Sequence, residues 1–157
     1  MVRSPFFLCR PSRGFTLPEL IAVMVIAGVL LAVAAPKFIG SSGFDSTRLY
    51  HETIAALRYA QSSSLAMQRT VCATFTSTTL TLTYASAYGA SSCDTNLVGP
   101  GGSTPPYKVT AQGSATYASF PASVNFDRVG KPTSGPTITI TGFSTSIAIE
   151  AESGYVH

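Results

Sequence analysis

Glu19 is the one charged residue at the mouth of a long apolar run. It closes the string Gly14-Phe15-Thr16-Leu17-Pro18-Glu19, and residues 20–35 that follow are apolar, broken only by Gly28. An acid carried into hydrocarbon costs roughly 2.5 to 3.5 kcal/mol and is rarely kept there without a partner. The chemistry open to Glu19 is therefore charge pairing, with no turnover. Elsewhere the sequence offers catalysis little. Serines are plentiful, but His51 sits within a predicted helix and His157 is terminal, so no Ser/His/Asp arrangement follows from spacing. Glu150 and Glu152, two apart on a predicted final hairpin, share a face, if the strand continues, that is most simply the solvated one. Asp127, Arg128 and Lys131 read as a charged turn. Gly99, Gly101 and Gly102 lie in a Pro-rich loop and do not form a phosphate cradle after a strand. Neither Cys72 nor Cys93 has a second ligand at C-x-x-C spacing, so no metal site is expected. The expectation is a non-enzyme without a cofactor.

The elements that must position these residues are legible in outline. Residues 15–36 form an apolar helix with basic residues (Arg3, Arg10, Arg13) on the preceding flank, which fits a membrane span with its N-terminal side in the cytoplasm. Pro18 is tolerated in a first turn. Pro36 and the cluster Gly40-Ser41-Ser42-Gly43 predict a break, since proline removes a helical hydrogen bond and glycine adds cost. Asp45 can then cap a second, amphipathic helix over about 45–69, with Tyr50, Ile54, Leu57 and Leu65 near one face and Arg58, Gln68 and Arg69 away from it. Beyond it, segments 71–75, 79–84, 107–110, 124–126, 137–141, 145–150 and 154–157 are short, rich in Thr and in β-branched or aromatic residues, and divided by Gly, Pro and Ser. That predicts antiparallel strands. Residues 85–106 read as a long loop, and no internal repeat is evident.

Charge argues against one class of partner. The formal charge of +3 comes from Arg3, Arg10 and Arg13, and the seven basic and seven acidic residues from Phe15 onward cancel. Nucleic-acid binding needs clustered Lys and Arg. After Cys72 only Lys108, Arg128 and Lys131 stand against Asp94, Asp127, Glu150 and Glu152.

The leader and residues 14–19 resemble the signal of type IV pilin-like proteins. The helical segment Ala55-Ala56-Leu57-Arg58-Tyr59-Ala60-Gln61 and the tail Val124-Asn125-Phe126-Asp127-Arg128-Val129-Gly130 are similar to minor pilins and pseudopilins of the H-type, FimT-like subfamily. The ending Glu152-Ser153-Gly154-Tyr155-Val156-His157, with the two cysteines, resembles the minor prepilins of mannose-sensitive haemagglutinin (MSHA) type pili. Only the first of these motifs is specific, and Pro18 stands where an aliphatic residue is commoner.

The resemblance implies an α+β pilin fold: a long N-terminal helix, membrane-spanning in its first half, packed on a small antiparallel sheet. Residues 1–14 would be a leader, 15–36 the membrane and assembly segment, and 44–157 a periplasmic globular domain. A prepilin peptidase would cut between Gly14 and Phe15 and N-methylate Phe15. Glu19 would pair with the new α-amino group, on its own helix or a neighbour's, to guide assembly. The implied partners are the inner membrane and other pilins or pseudopilins in a filament. Cys9 would be lost with the leader, leaving Cys72 and Cys93 with twenty residues between them. In an oxidising periplasm a bridge is expected, and the alternative is two free thiols. Two other functions fit parts of the sequence. Ala32-Val33-Ala34 also suits an ordinary secretory signal cleaved before Ala35, giving a released protein, and some relatives of the subfamily capture DNA.

Overall fold

The computed structural model describes residues 15–39 and 42–157, with residues 33–39 and 42 described by backbone alone. The leader with Gly14, and Gly40-Ser41 of the expected break, lie outside the described residues. Contacts divide the chain into two units at residue 40.

The first unit holds helix α1, Leu17–Ile39. It runs through Pro36, so the helix does not end where proline was expected to stop it. One missing intrahelical donor is a local loss, and the turn after it still forms. From Phe15 to Leu31 its large apolar side chains are exposed, among them Leu17, Ile21, Met24 and Leu30. Among the described residues no helix is long and apolar enough to cross a membrane, so the span expected over 15–36 is not shown.

The second unit begins with helix α2, Ser42–Met67. It starts earlier than expected: Gly43 lies inside it, and Asp45 is not its cap but an acid in its first turn, where it complements the positive end of the helix dipole. It stops where Gln68 turns left-handed, φ 53°. The buried stripe also differs from the expected one. Ser46, Leu49, Thr53, Ala56, Leu57, Ala60, Ser63 and Ser64 are buried, Tyr50 and Ile54 are half-buried, and Leu65 is exposed. Small residues at three- and four-residue spacing let the helix axis approach the sheet closely, and that matters more here than the hydropathy of single positions.

Eight strands follow: β1 Val71–Phe75, β2 Thr79–Tyr84, β3 Thr95–Asn96, β4 Lys108–Thr110, β5 Tyr117–Ser119, β6 Ser123–Phe126, β7 Thr137–Ile140 and β8 Ile147–Ala148. All pairings are antiparallel. They form two sheets where one was expected. In the larger, β1 lies between β6 and β2, and β2 shares its other edge between β3 and β4; the smaller runs β5-β7-β8. Strand β2 alternates as its sequence requires, with Leu80 and Leu82 buried between half-buried threonines, while in β1 Ala73 and Phe75 are buried, Thr74 is exposed and Cys72 is buried as well. Those side chains meet Leu49, Leu57, Val124, Phe126, Ile138 and Val156 in one core. Each fully buried Leu or Phe there contributes about 1.5 to 3 kcal/mol.

Candidate assembly site and the ties that hold the domain

The entry to α1 holds the back-reaching half of a capping box, the Glu19 carboxylate on the Thr16 amide. Thr16 precedes the helix, and its carbonyl accepts from the amides of Glu19 and Leu20, both at 3.1 Å. In return the Thr16 amide donates to Glu19 Oε2 at 3.4 Å. Thr-x-x-Glu at a helix start is the sequence signature of this arrangement. Thr16 was not singled out from the sequence, although that signature was available. Pro18 sits in the first turn, where its missing N–H has no intrahelical acceptor to lose. Phe15 beside it is 76% exposed. The arrangement fixes a carboxylate at the first turn of a helix whose flank is apolar and uncovered, and gives it a weak, long bond that a better donor can displace.

Cys72 and Cys93 are joined. The bond ties the middle of the 85–106 segment back to β1, as expected if the thiols pair. That segment is more ordered than a loop: β3 lies within it, Ser86 donates through both its amide and its hydroxyl to Asp94, and Thr70 Oγ1 donates to the Ala90 carbonyl at 2.7 Å. The Ser86 donors hold the Asp94 carboxyl below the usual carboxylate range.

The charged residues of the last third serve the fold. Asp127 Oδ1 accepts from the amides of Val129 and Lys131, both at 2.9 Å, which builds the turn expected there. Lys131 pairs with Glu152 at 2.7 Å. That contact raises the lysine above its ordinary pKa and lowers the glutamate below its own. Glu150 faces His157 at 3.3 Å. The acids at 150 and 152 are exposed and have separate partners, so they do not form an acid pair. His51 stands edge-on to Tyr50. Among the described residues no cluster of His, Cys, Asp and Glu could hold a metal.

Two residues of the Ala55–Gln61 segment have a role that spacing did not reveal. Arg58 donates to the Val156 carbonyl at 2.9 and 3.2 Å, and Gln61 to the Ser153 carbonyl at 2.8 Å. They clamp the C-terminal segment, which exchanges two main-chain bonds between Ala148 and His157. Gly154 makes this path feasible: its φ is +71°, and a Cβ there would lie 2.2 Å from the Gly130 carbonyl.

Residues 9–35 match the family described as the prokaryotic N-terminal methylation motif. The match covers the segment that contains the Thr16 to Glu19 bond and most of α1. The second finding concerns the fold. The chain is similar to the crystal structure of the type IV minor pilin FimU of Pseudomonas aeruginosa strain PAO1, with a TM-score of 0.53, 16% identity, and coverage of 74% of this chain and 90% of that one. At that identity the likeness is one of fold: α2 on antiparallel sheets is the pilin architecture. No curated protein matches the chain.

Proposed function

We propose that the chain is a minor pilin, a structural subunit of a type IV pilus. The observation that carries this reading is the methylation motif on the residues that open α1, Gly14 to Glu19, joined to a domain of pilin architecture. A prepilin peptidase removes residues 1–14, and the new terminus at Phe15 is N-methylated. The apolar flank of α1 anchors the subunit in the inner membrane, with the domain from residue 44 in the periplasm. In the filament that flank is covered by neighbouring helices. Glu19 then meets the α-amino cation in a medium of low dielectric, where an unpaired carboxylate is costly and a paired one specifies register. The segments 55–61 and 124–130 favour the H-type, FimT-like branch, and the C-terminal segment with its disulfide favours an MSHA-type pilus over a secretion pseudopilus.

Mass spectrometry of the membrane-extracted protein tests the proposal. The expected mature chain begins with N-methyl-phenylalanine at position 15, and Gly14→Val blocks its formation. A terminus at Ala35 would replace the proposal with an ordinary secreted protein.

A further inference from the structure

Strand β4 has one partner. The Leu82 amide donates to the Tyr107 carbonyl at 3.0 Å, the Ala111 amide donates to the Thr78 carbonyl at 2.8 Å, and Val109 lies opposite Leu80. Antiparallel alternation therefore turns the main chain of residues 107, 109 and 111 toward the sheet and aims the N–H and C=O groups of Lys108 and Thr110 away from it. Among the described residues no strand pairs with that outer edge. It opens instead on a groove of about 370 Å³, whose other wall is α2 through Arg48 and Glu52, with Gln112 also lining it.

We propose that this groove is a docking edge, where a neighbouring subunit lays down an extended, acid-bearing segment as an added strand beside β4. This rests on the minor-pilin reading and names a contact that reading leaves open. Three observations select the occupant. First, one wall offers main-chain donors and acceptors at the two-residue repeat of a strand, which an extended peptide matches bond for bond and a helix does not. Second, apart from Tyr107 the remaining lining is an ion pair, Arg48 with Glu52, and the Gln112 amide, which leaves too little apolar surface to take the apolar face of a helix. Third, the charges are unequal: Arg48 and Lys108 face the single carboxylate of Glu52. Arg48 spends only its Nε on Glu52, at 2.7 Å, leaving its terminal nitrogens for a second carboxylate. A lysine on a sheet edge discourages indiscriminate pairing. Here Lys108 would also favour an acidic strand over a basic one.

The main-chain basis of the contact gives it a specific test, read as the amount of full-length protein in sheared filaments relative to the membrane pool. Thr110→Pro removes an outward N–H while leaving the β2 ladder intact, because proline is tolerated on an edge whose N–H faces away from the sheet. Incorporation should fall about tenfold, the loss expected when about 1.4 kcal/mol of contact energy goes, with the thermal melt of the purified variant preserved. Thr110→Ala, which keeps the N–H, should incorporate like the wild type. Lys108→Glu, a change at an exposed position, should also reduce incorporation with its thermal melt preserved. Normal incorporation of folded Thr110→Pro and of Lys108→Glu would overturn the proposal, as would a loss in Thr110→Ala equal to that in Thr110→Pro. Absence of the wild-type protein from filaments would instead refute the minor-pilin reading itself.

Discussion

Glu19 has two donors to choose between: the Thr16 amide, which it already accepts at 3.4 Å, and the α-amino group that cleavage before Phe15 would free. The two roles separate by substitution. Gln can keep the bond from the Thr16 amide, since this position of a capping box works with either Glu or Gln, but removes the charge; Ala removes both. We expect Glu19→Gln and Glu19→Ala to be cleaved and membrane-inserted alike, and both to be poorly incorporated into filaments. Normal incorporation of the Gln variant would mean that the helix cap, not the charge, is what assembly uses. A second residue gives a prediction about pH. The Tyr117 hydroxyl is buried against Thr53 Oγ1 at 2.8 Å, and burial pushes its pKa up to about 12 from an ordinary 10.0. The folded state thus favours the neutral phenol. Its contribution is complete below pH 10 and is lost as pH rises toward 12, because only the unfolded chain ionises freely in that window. Chemical denaturation of the wild type and of Tyr117→Phe across this range should show a steeper alkaline loss in the wild type. At neutral pH the variant should be weaker by about 1 kcal/mol, the worth of one hydrogen bond. Parallel pH curves would exclude Tyr117 as the source.

At the scale of elements, the Cys72–Cys93 bond holds β3 and its flanking turns against β1. Replacing either cysteine by serine should lower the unfolding free energy by about 3 kcal/mol, from the entropy returned to an unclosed loop. Alkylation of native, unreduced protein should trap neither residue, and labelling of both would show the bridge absent. What the sequence could reveal of these elements follows from their physics. The strands β1, β2, β4, β6 and β7 stood out because β-branched, aromatic or aliphatic residues recur with small or polar residues between them, in segments bounded by Gly, Pro and Ser. Strand β3 has two residues and lies between Asp94 and Leu97, too short for alternation to register. Strand β5 has one large residue among three, Tyr117 with Ala118 and Ser119, and its register shifts within the pair it makes with β7. On α2 the face was misread at Leu65, because hydropathy selects large residues while close helix-to-sheet packing selects Ala, Ser and Thr. The segment from Gly14 to Glu19 was legible because a lone carboxylate at the entry to an apolar run is costly to insert and so marks a place where a partner charge is needed. The free edge of β4 could not be read, since it depends on which strand β4 joins.

For the whole molecule, the core residues among those described all lie between Leu49 and Val156. A chain beginning at residue 42 should therefore fold alone and melt cooperatively without α1, and a loss of cooperativity would show that α1 completes the core. This domain carries six basic and six acidic residues, and Lys131 is already engaged by Glu152. It should give no salt-sensitive mobility shift with duplex DNA, because too few phosphates could be neutralised to release many counterions. Micromolar binding that weakens steeply with salt, and that Arg128 and Lys131 substitutions abolish, would favour a DNA receptor. The placement of α2 has a mechanical consequence. Its 26 residues extend roughly 39 Å at about 1.5 Å each, and along that length it touches β1, β2, β4, β6 and β7 while Arg58 and Gln61 grip the C-terminal segment. A pull along the helix axis loads these contacts side by side, in shear, so they must yield together and not peel away one at a time; a subunit drawn by its N-terminal end would carry tension through the helix without opening its sheets.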